Sequence, residues 1–224
     1  MFNWLKKKDQ GDQPGIRDTL FGDMPLSAWA SQSHSTSEPW ISFVKARELI
    51  ESKNQQQAIN ELKKITEMPD LESRHYLQAW HFLNQLGVKP SDVQAKEVYG
   101  VVVEVTMNQG PDIVAAYADH SARYFNYSGA AVIWENPDDS LNKMIDDLLN
   151  AGRGIIHKIG PWENVRPPAP PKGQVRVNML TPSGLHFGQA PFDTLSKDEM
   201  GGPIIAAATN LMQALIEKSS KRSA

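Results

Sequence analysis

Val98-Tyr99-Gly100-Val101-Val102-Val103-Glu104-Val105-Thr106-Met107 is the stretch that decides the fold. It is β-branched and mostly apolar, which suits a central strand covered on both faces. Downstream, Asn108-Gln109-Gly110-Pro111-Asp112 reads as a turn. Residues 113–117 and 122–125 then flank Ala118-Asp119-His120-Ser121, whose composition predicts a hairpin turn. A fourth strand is expected over 130–135, after Ser128-Gly129.

Asn136-Pro137-Asp138-Asp139-Ser140 opens a helix with acidic residues in its first turn. Leu141, Met144, Ile145, Leu148 and Leu149 form its i, i+3, i+4, i+7, i+8 stripe. Ala151-Gly152 is expected to stop it, with a strand over 154–159. Arg166-Pro167-Pro168-Ala169-Pro170-Pro171 is a stiff polyproline II connector. Residues 174–181 and 185–189 read as a hairpin turning at Pro182-Ser183-Gly184. Gly201-Gly202-Pro203 opens a last helix with the stripe Ile204, Ile205, Ala208, Leu211, Met212 and Leu215, and Lys218–Arg222 is expected as a frayed basic tail.

Upstream of the deciding stretch the period is helical. Phe43, Ala46 and Ile50 form one stripe; Ala58, Ile59, Leu62 and Ile65 a second, ended by Pro69; Tyr76, Trp80, Leu83 and Leu86 a third, closed by Gly87. Residues 41–88 resemble a tetratricopeptide-type helical unit, on Ala58-Ile59, Leu62, Ile65 and Pro69, followed by Ala79-Trp80. The resemblance implies protein–protein contact. The part from about Ala95 onward resembles bacterial proteins of unknown function, on Ala116-Tyr117-Ala118-Asp119 through Tyr124 and Asn178 through Gly188. That likeness implies no activity.

The expected fold class is therefore α+β: a small N-terminal helical subdomain, then a mostly antiparallel sheet of about five to seven strands covered by two amphipathic helices. The domain reading is an arm and linker over 1–39, helices over 40–94 and the α+β domain over 95–224. Within the arm, the apolar island Leu20–Trp29 is expected to dock on the body as an extended segment. Residues 31–39 carry linker chemistry.

Composition narrows the function classes. The 224 residues include no cysteine, which excludes disulfide scaffolds, thiol nucleophiles and Cys-ligated metals. A net charge of −3 argues against broad nucleic-acid binding. No apolar run approaches the ~18 residues that span a bilayer. The terminus Met1-Phe2-Asn3-Trp4-Leu5-Lys6-Lys7-Lys8 reverses the order of a secretory signal; Phe2, Trp4 and Leu5 offer at most weak peripheral membrane contact. Cytoplasmic location is the expectation.

No Walker loop, GxGxxG, GxSxG elbow or HExxH motif occurs, so no catalytic residue, metal ligand set or cofactor is assigned. Ser183 and His186 lie close in sequence, but Ser183 reads as a turn residue and no motif supplies an orienting carboxylate. The six histidines form no helical i, i+3 or i, i+4 pair. A metal site would have to be assembled from His120, His157 and His186 with Asp119 or Glu135; otherwise the histidines bond to backbone carbonyls. The candidate binding residues are Tyr117, Asp119, His120, Arg123, Tyr124, Trp134 and His186, because aromatic area, a guanidinium, an acid and imidazoles suit a ligand or partner. Three functions are carried forward: an interaction or accessory protein whose partner is another protein, a small-ligand sensor, and a hydrolase or lyase using Asp119, His120 and His186.

Overall fold

A computed structural model of the protein describes residues 15–29, 37–107 and 110–222. The expected contacts of Phe2, Trp4 and Leu5, and most of the linker over 31–39, lie outside these residues. Six strands, β1 (Gly100–Thr106), β2 (Pro111–Tyr117), β3 (Ala122–Phe125), β4 (Ala131–Trp134), β5 (Gln174–Thr181) and β6 (Gly184–Pro191), form one antiparallel sheet in the order β4-β3-β2-β1-β5-β6. The deciding stretch is β1, a central strand between β2 and β5. The fold is α+β, as the sequence predicts.

Strand residues alternate between faces, so β1 supplies two different surfaces. Val101 and Val103 meet helices α5 (Asn142–Ile156) and α7 (Gly201–Arg222). Ile145, Leu148, Leu149, Ile155 and Ile156 of α5 share this core with Ile204, Ile205, Ala208, Leu211 and Leu215 of α7. Each side chain of this size contributes about 1.5–3 kcal/mol on burial.

Helix α5 departs from the expectation. It does not stop at Ala151-Gly152, and residues 154–156 are helical rather than strand. The glycine serves packing: a Cβ at Gly152 would sit 2.7 Å from Val101 Cγ2 and 3.2 Å from Met179 Cγ. The helix can approach the sheet closely there, and Ile155 and Ile156 continue its buried stripe. Helix α7 likewise runs to Arg222 instead of fraying at Lys218. Lys218 Nζ lies 5.4 Å from the centre of the Trp134 ring, a cation–π contact that ties this last turn to β4.

The opposite face carries the N-terminal helices α1 (Ile16–Phe21), α2 (Trp40–Glu51), α3 (Gln55–Glu67) and α4 (Ser73–Gln85). Phe43, Ala46, Ile59, Leu62, Ile65, Ala79, Trp80, Phe82 and Leu83 make a second core, joined by Trp29 and Trp40, whose rings lie 5.0 Å apart. A third cluster bridges the helices to the sheet: Leu20, Phe21 and Leu77 pack on Val102, Ile113, Ala115, Tyr117 and Leu180. The arm island therefore docks as expected, but it begins with a short helix rather than an extended segment. Gly22 ends that helix at φ +61°, where a Cβ would fall 2.7 Å from Leu77 Cβ. Only glycine meets both the left-handed turn and the close approach to α4. A four-residue helix, α6 (Phe192–Leu195), links β6 to α7. No helix among the described residues is long and apolar enough to cross a membrane.

Candidate functional site

The β2–β3 hairpin holds five of the seven candidate residues and splits them between the two faces. Tyr117 is fully buried, and its hydroxyl donates to the Leu20 carbonyl at 2.7 Å. Burial pushes this phenol far above its ordinary pKa, so it remains a donor to the arm. Arg123 projects on the same face as Tyr117. It is 3% exposed, donates to the Ala122 and Trp134 carbonyls at 2.9 Å each, and pairs with Glu135 at 2.6 Å. Tyr124 and Trp134 face α5 and α7 instead. The Tyr124 hydroxyl donates to Asp112 at 3.3 Å, and its pKa is raised first by burial and then by that carboxylate.

The turn itself clips both helical layers. Asp119 Oδ2 accepts from the backbone N–H of Ser73 at 2.6 Å, while Ser73 Oγ accepts from the Asp119 N–H at 3.1 Å. This satisfies an amide of the first turn of α4, where carboxylates are favoured. The next residue, His120, adopts φ +60° and turns to α5, with Nε2 at 3.1 Å from Asp146 Oδ1. Asp119 and His120 are therefore held by opposite layers.

His186 lies on β6, more than three strand spacings from this turn, roughly 15 Å. It is 3% exposed, with Nε2 at 3.1 Å from Ser183 Oγ and Nδ1 at 3.3 Å from the Ile159 carbonyl. Burial lowers its pKa, against the pull of the Ile159 and Gly160 carbonyls, and keeps the ring neutral. Ser183 Oγ also donates to the Ala95 carbonyl at 2.7 Å. The structure thus joins Ser183 to His186 but brings neither to Asp119 or His120. Among the described residues, no group of three or more His, Asp or Glu side chains is placed to hold a metal ion.

A charged cluster on the second face is built from residues that belong to no catalytic or binding motif. Glu104 is 0% exposed. Its Oε1 accepts from Arg17 Nε at 2.6 Å, and its Oε2 from Arg17 Nη2 at 3.1 Å and Asn178 Nδ2 at 3.3 Å. Arg176 Nη1 stands 3.8 Å from Oε2 and donates to the Pro168 carbonyl at 2.7 Å. Arg17 also donates to the Pro167 carbonyl at 3.1 Å. Arg166, from the same connector, pairs with Asp18 and, at 2.6 Å, with Asp23, its guanidinium 4.6 Å from the centre of the Phe21 ring. Three guanidinium groups and three carboxylates thereby fasten the arm, the polyproline connector and the sheet to one another. The signal was a lone carboxylate inside the apolar run of β1.

Two concave surfaces stand out among the described residues. An open groove of about 860 Å³ runs between the outer sides of α5 and α7, walled by Met144, Ala151, Pro203, Ala207 and Ala214 and rimmed by Lys143, Asp147 and Glu217. A smaller pocket of about 420 Å³ lies where the end of α5 meets the β5–β6 turn, and Ser183 and His186 line it. Neither surface is lined by Tyr117, Asp119, Arg123 or Trp134. Comparison of the chain with family models, curated proteins and solved structures finds no match.

Proposed function

We propose that the protein is a non-enzymatic interaction protein of the bacterial cytosol, and that it seats an amphipathic helix of a partner protein in the α5–α7 groove. The groove itself carries this reading. Its walls are small or apolar at Met144, Ala151, Ala207 and Ala214, which lets a third helix lie close against these two. Its lining spans residues 203–217 of α7, about 21 Å of helix, enough for four turns of a partner. Lys143, Asp147 and Glu217 place both signs of charge on the rim, where they fix register more than affinity. The engagement of Tyr117, Asp119 and Arg123 in internal hydrogen bonds favours this reading over a sensor pocket at those residues. The tetratricopeptide-like helices α2 and α3 supply a second surface for protein contact.

A photo-crosslinking residue at position 207, in cells that express the protein naturally, tests the reading. The expected result is one dominant adduct that is absent when Ala214 is replaced by Trp to fill the groove. The same adduct from position 165, exposed between α5 and β5, or no adduct from position 207, would overturn it.

A further inference from the structure

The pocket beneath the β5–β6 turn is built from three parts of the chain. The short 3-10 turn Gln94–Lys96 brings Lys96, the end of α5 brings His157 and Lys158, and the hairpin brings Ser183 and His186. Ile156, Ile159 and Pro161 provide apolar wall. Its size, about 420 Å³, falls in the lower part of the range that holds small molecules.

Charge and depth are arranged separately. Two lysines stand among the lining residues, and no aspartate or glutamate does. Both lysines are exposed, so they present charge at the mouth. The deep polar groups are neutral: the His186 imidazole, which burial keeps unprotonated, and the Ser183 hydroxyl at 3.1 Å from it. Two backbone carbonyls, Ala95 and Ile159, already occupy these groups, so a second acceptor entering from solvent meets the lysines first. A bare inorganic ion would leave the apolar wall wet, whereas a neutral apolar molecule would leave the cations unused.

We propose that this pocket binds a compact organic anion, its apolar body against Ile156, Ile159 and Pro161 and its anionic head between Lys96 and Lys158. The carboxylate and phosphate forms of such a ligand share this chemistry, and the experiment separates them. The site is independent of the α5–α7 groove, with which it has no lining residue in common.

Isothermal titration of the full chain with benzoate, phenyl phosphate, inorganic phosphate and benzyl alcohol tests the proposal. One or both aromatic anions should bind at least about tenfold more tightly than inorganic phosphate and benzyl alcohol, a difference of about 1.4 kcal/mol. Whichever aromatic anion binds more tightly identifies the head group. The double variant K96A/K158A should weaken that binding by about tenfold or more. Because both lysines are exposed, its unliganded Tm should match that of the parent. On NMR titration the His186 ring resonances should move in the parent and stay fixed in the variant. The proposal is overturned if no aromatic anion binds, if inorganic phosphate binds as well as the aromatic anions, or if K96A/K158A keeps the parent affinity. Filling the groove with A214W should leave this binding unchanged, so failure of the pocket and failure of the groove give different results.

Discussion

The two faces of the sheet are built on different physics, although they alternate along the same strands. Toward α5 and α7, Val101 and Val103 join a broad cluster of apolar side chains, and the layer is held by burial. Toward the arm and connector, Val102 is followed by Glu104, and β5 adds Arg176 and Asn178, all nearly or fully buried. This face is closed by residues remote in sequence, Arg17 from the arm and Arg166 from the connector. An apolar face tolerates modest rearrangement. A buried charge lattice does not, because removing one member strands the rest in low dielectric. Of the seven candidate residues, Tyr117, Asp119 and Arg123 bond the second face to its cover or to its own edge.

Glu104→Ala breaks the comparison most strongly. It leaves Arg17 and Arg176 without their buried partner and is expected to cost about 3–5 kcal/mol by urea denaturation. Val103→Ala, one residue away on the apolar face, is expected to cost about 2 kcal/mol from lost burial and cavity formation. Equal losses would show that the two faces do not differ in kind. Gly152→Ala then sharpens the apolar side: its Cβ would press on Val101, and overpacking of this sort costs about 1–3 kcal/mol. An unchanged midpoint would mean that α5 shifts freely on the sheet.

Acid probes buried histidines on both sides. Burial lowers the pKa of His75, His81 and His186, so each takes up a proton more readily when unfolded. Their contribution is complete above the ordinary histidine value near 6.5 and is lost as pH falls below it. Denaturation midpoints should therefore drop between about pH 7 and 5.5. In His75→Gln the drop should be smaller; an identical pH slope would contradict the assignment. The smallest effect belongs to the surface. Lys143 and Asp147 pair at 2.7 Å on exposed α5, and Lys143→Ala should change stability by under about 0.5 kcal/mol.

How legible each face was in the sequence follows from the same contrast. The six strands, the hairpins and the stripes of α5 and α7 obey local periodicity, which a single chain displays directly. Gly152 misled because the rule for a helix stop sees only the chain, whereas the residue that decides, Val101, lies across the interface. Glu104 carried no periodic signal, since its partners are 87 residues upstream and 74 downstream. Tyr117 and Arg123 were singled out for chemistry suited to ligands, and the structure gives that chemistry internal partners. Ser183 and His186 were visible as neighbours, but their shared pocket depends on Lys96 and on the end of α5.

A double-mutant cycle on Arg17 and Glu104 tests the central claim, that a buried charge lattice clasps the arm to the sheet. The expected coupling between R17A and E104A is about 1–3 kcal/mol, with the double variant far less destabilised than the sum of the two. Losses that add to within about 0.5 kcal/mol would contradict the claim and shift the hold on the arm to the burial of Leu20, Phe21 and Met24 and to the Arg166 pairs with Asp18 and Asp23.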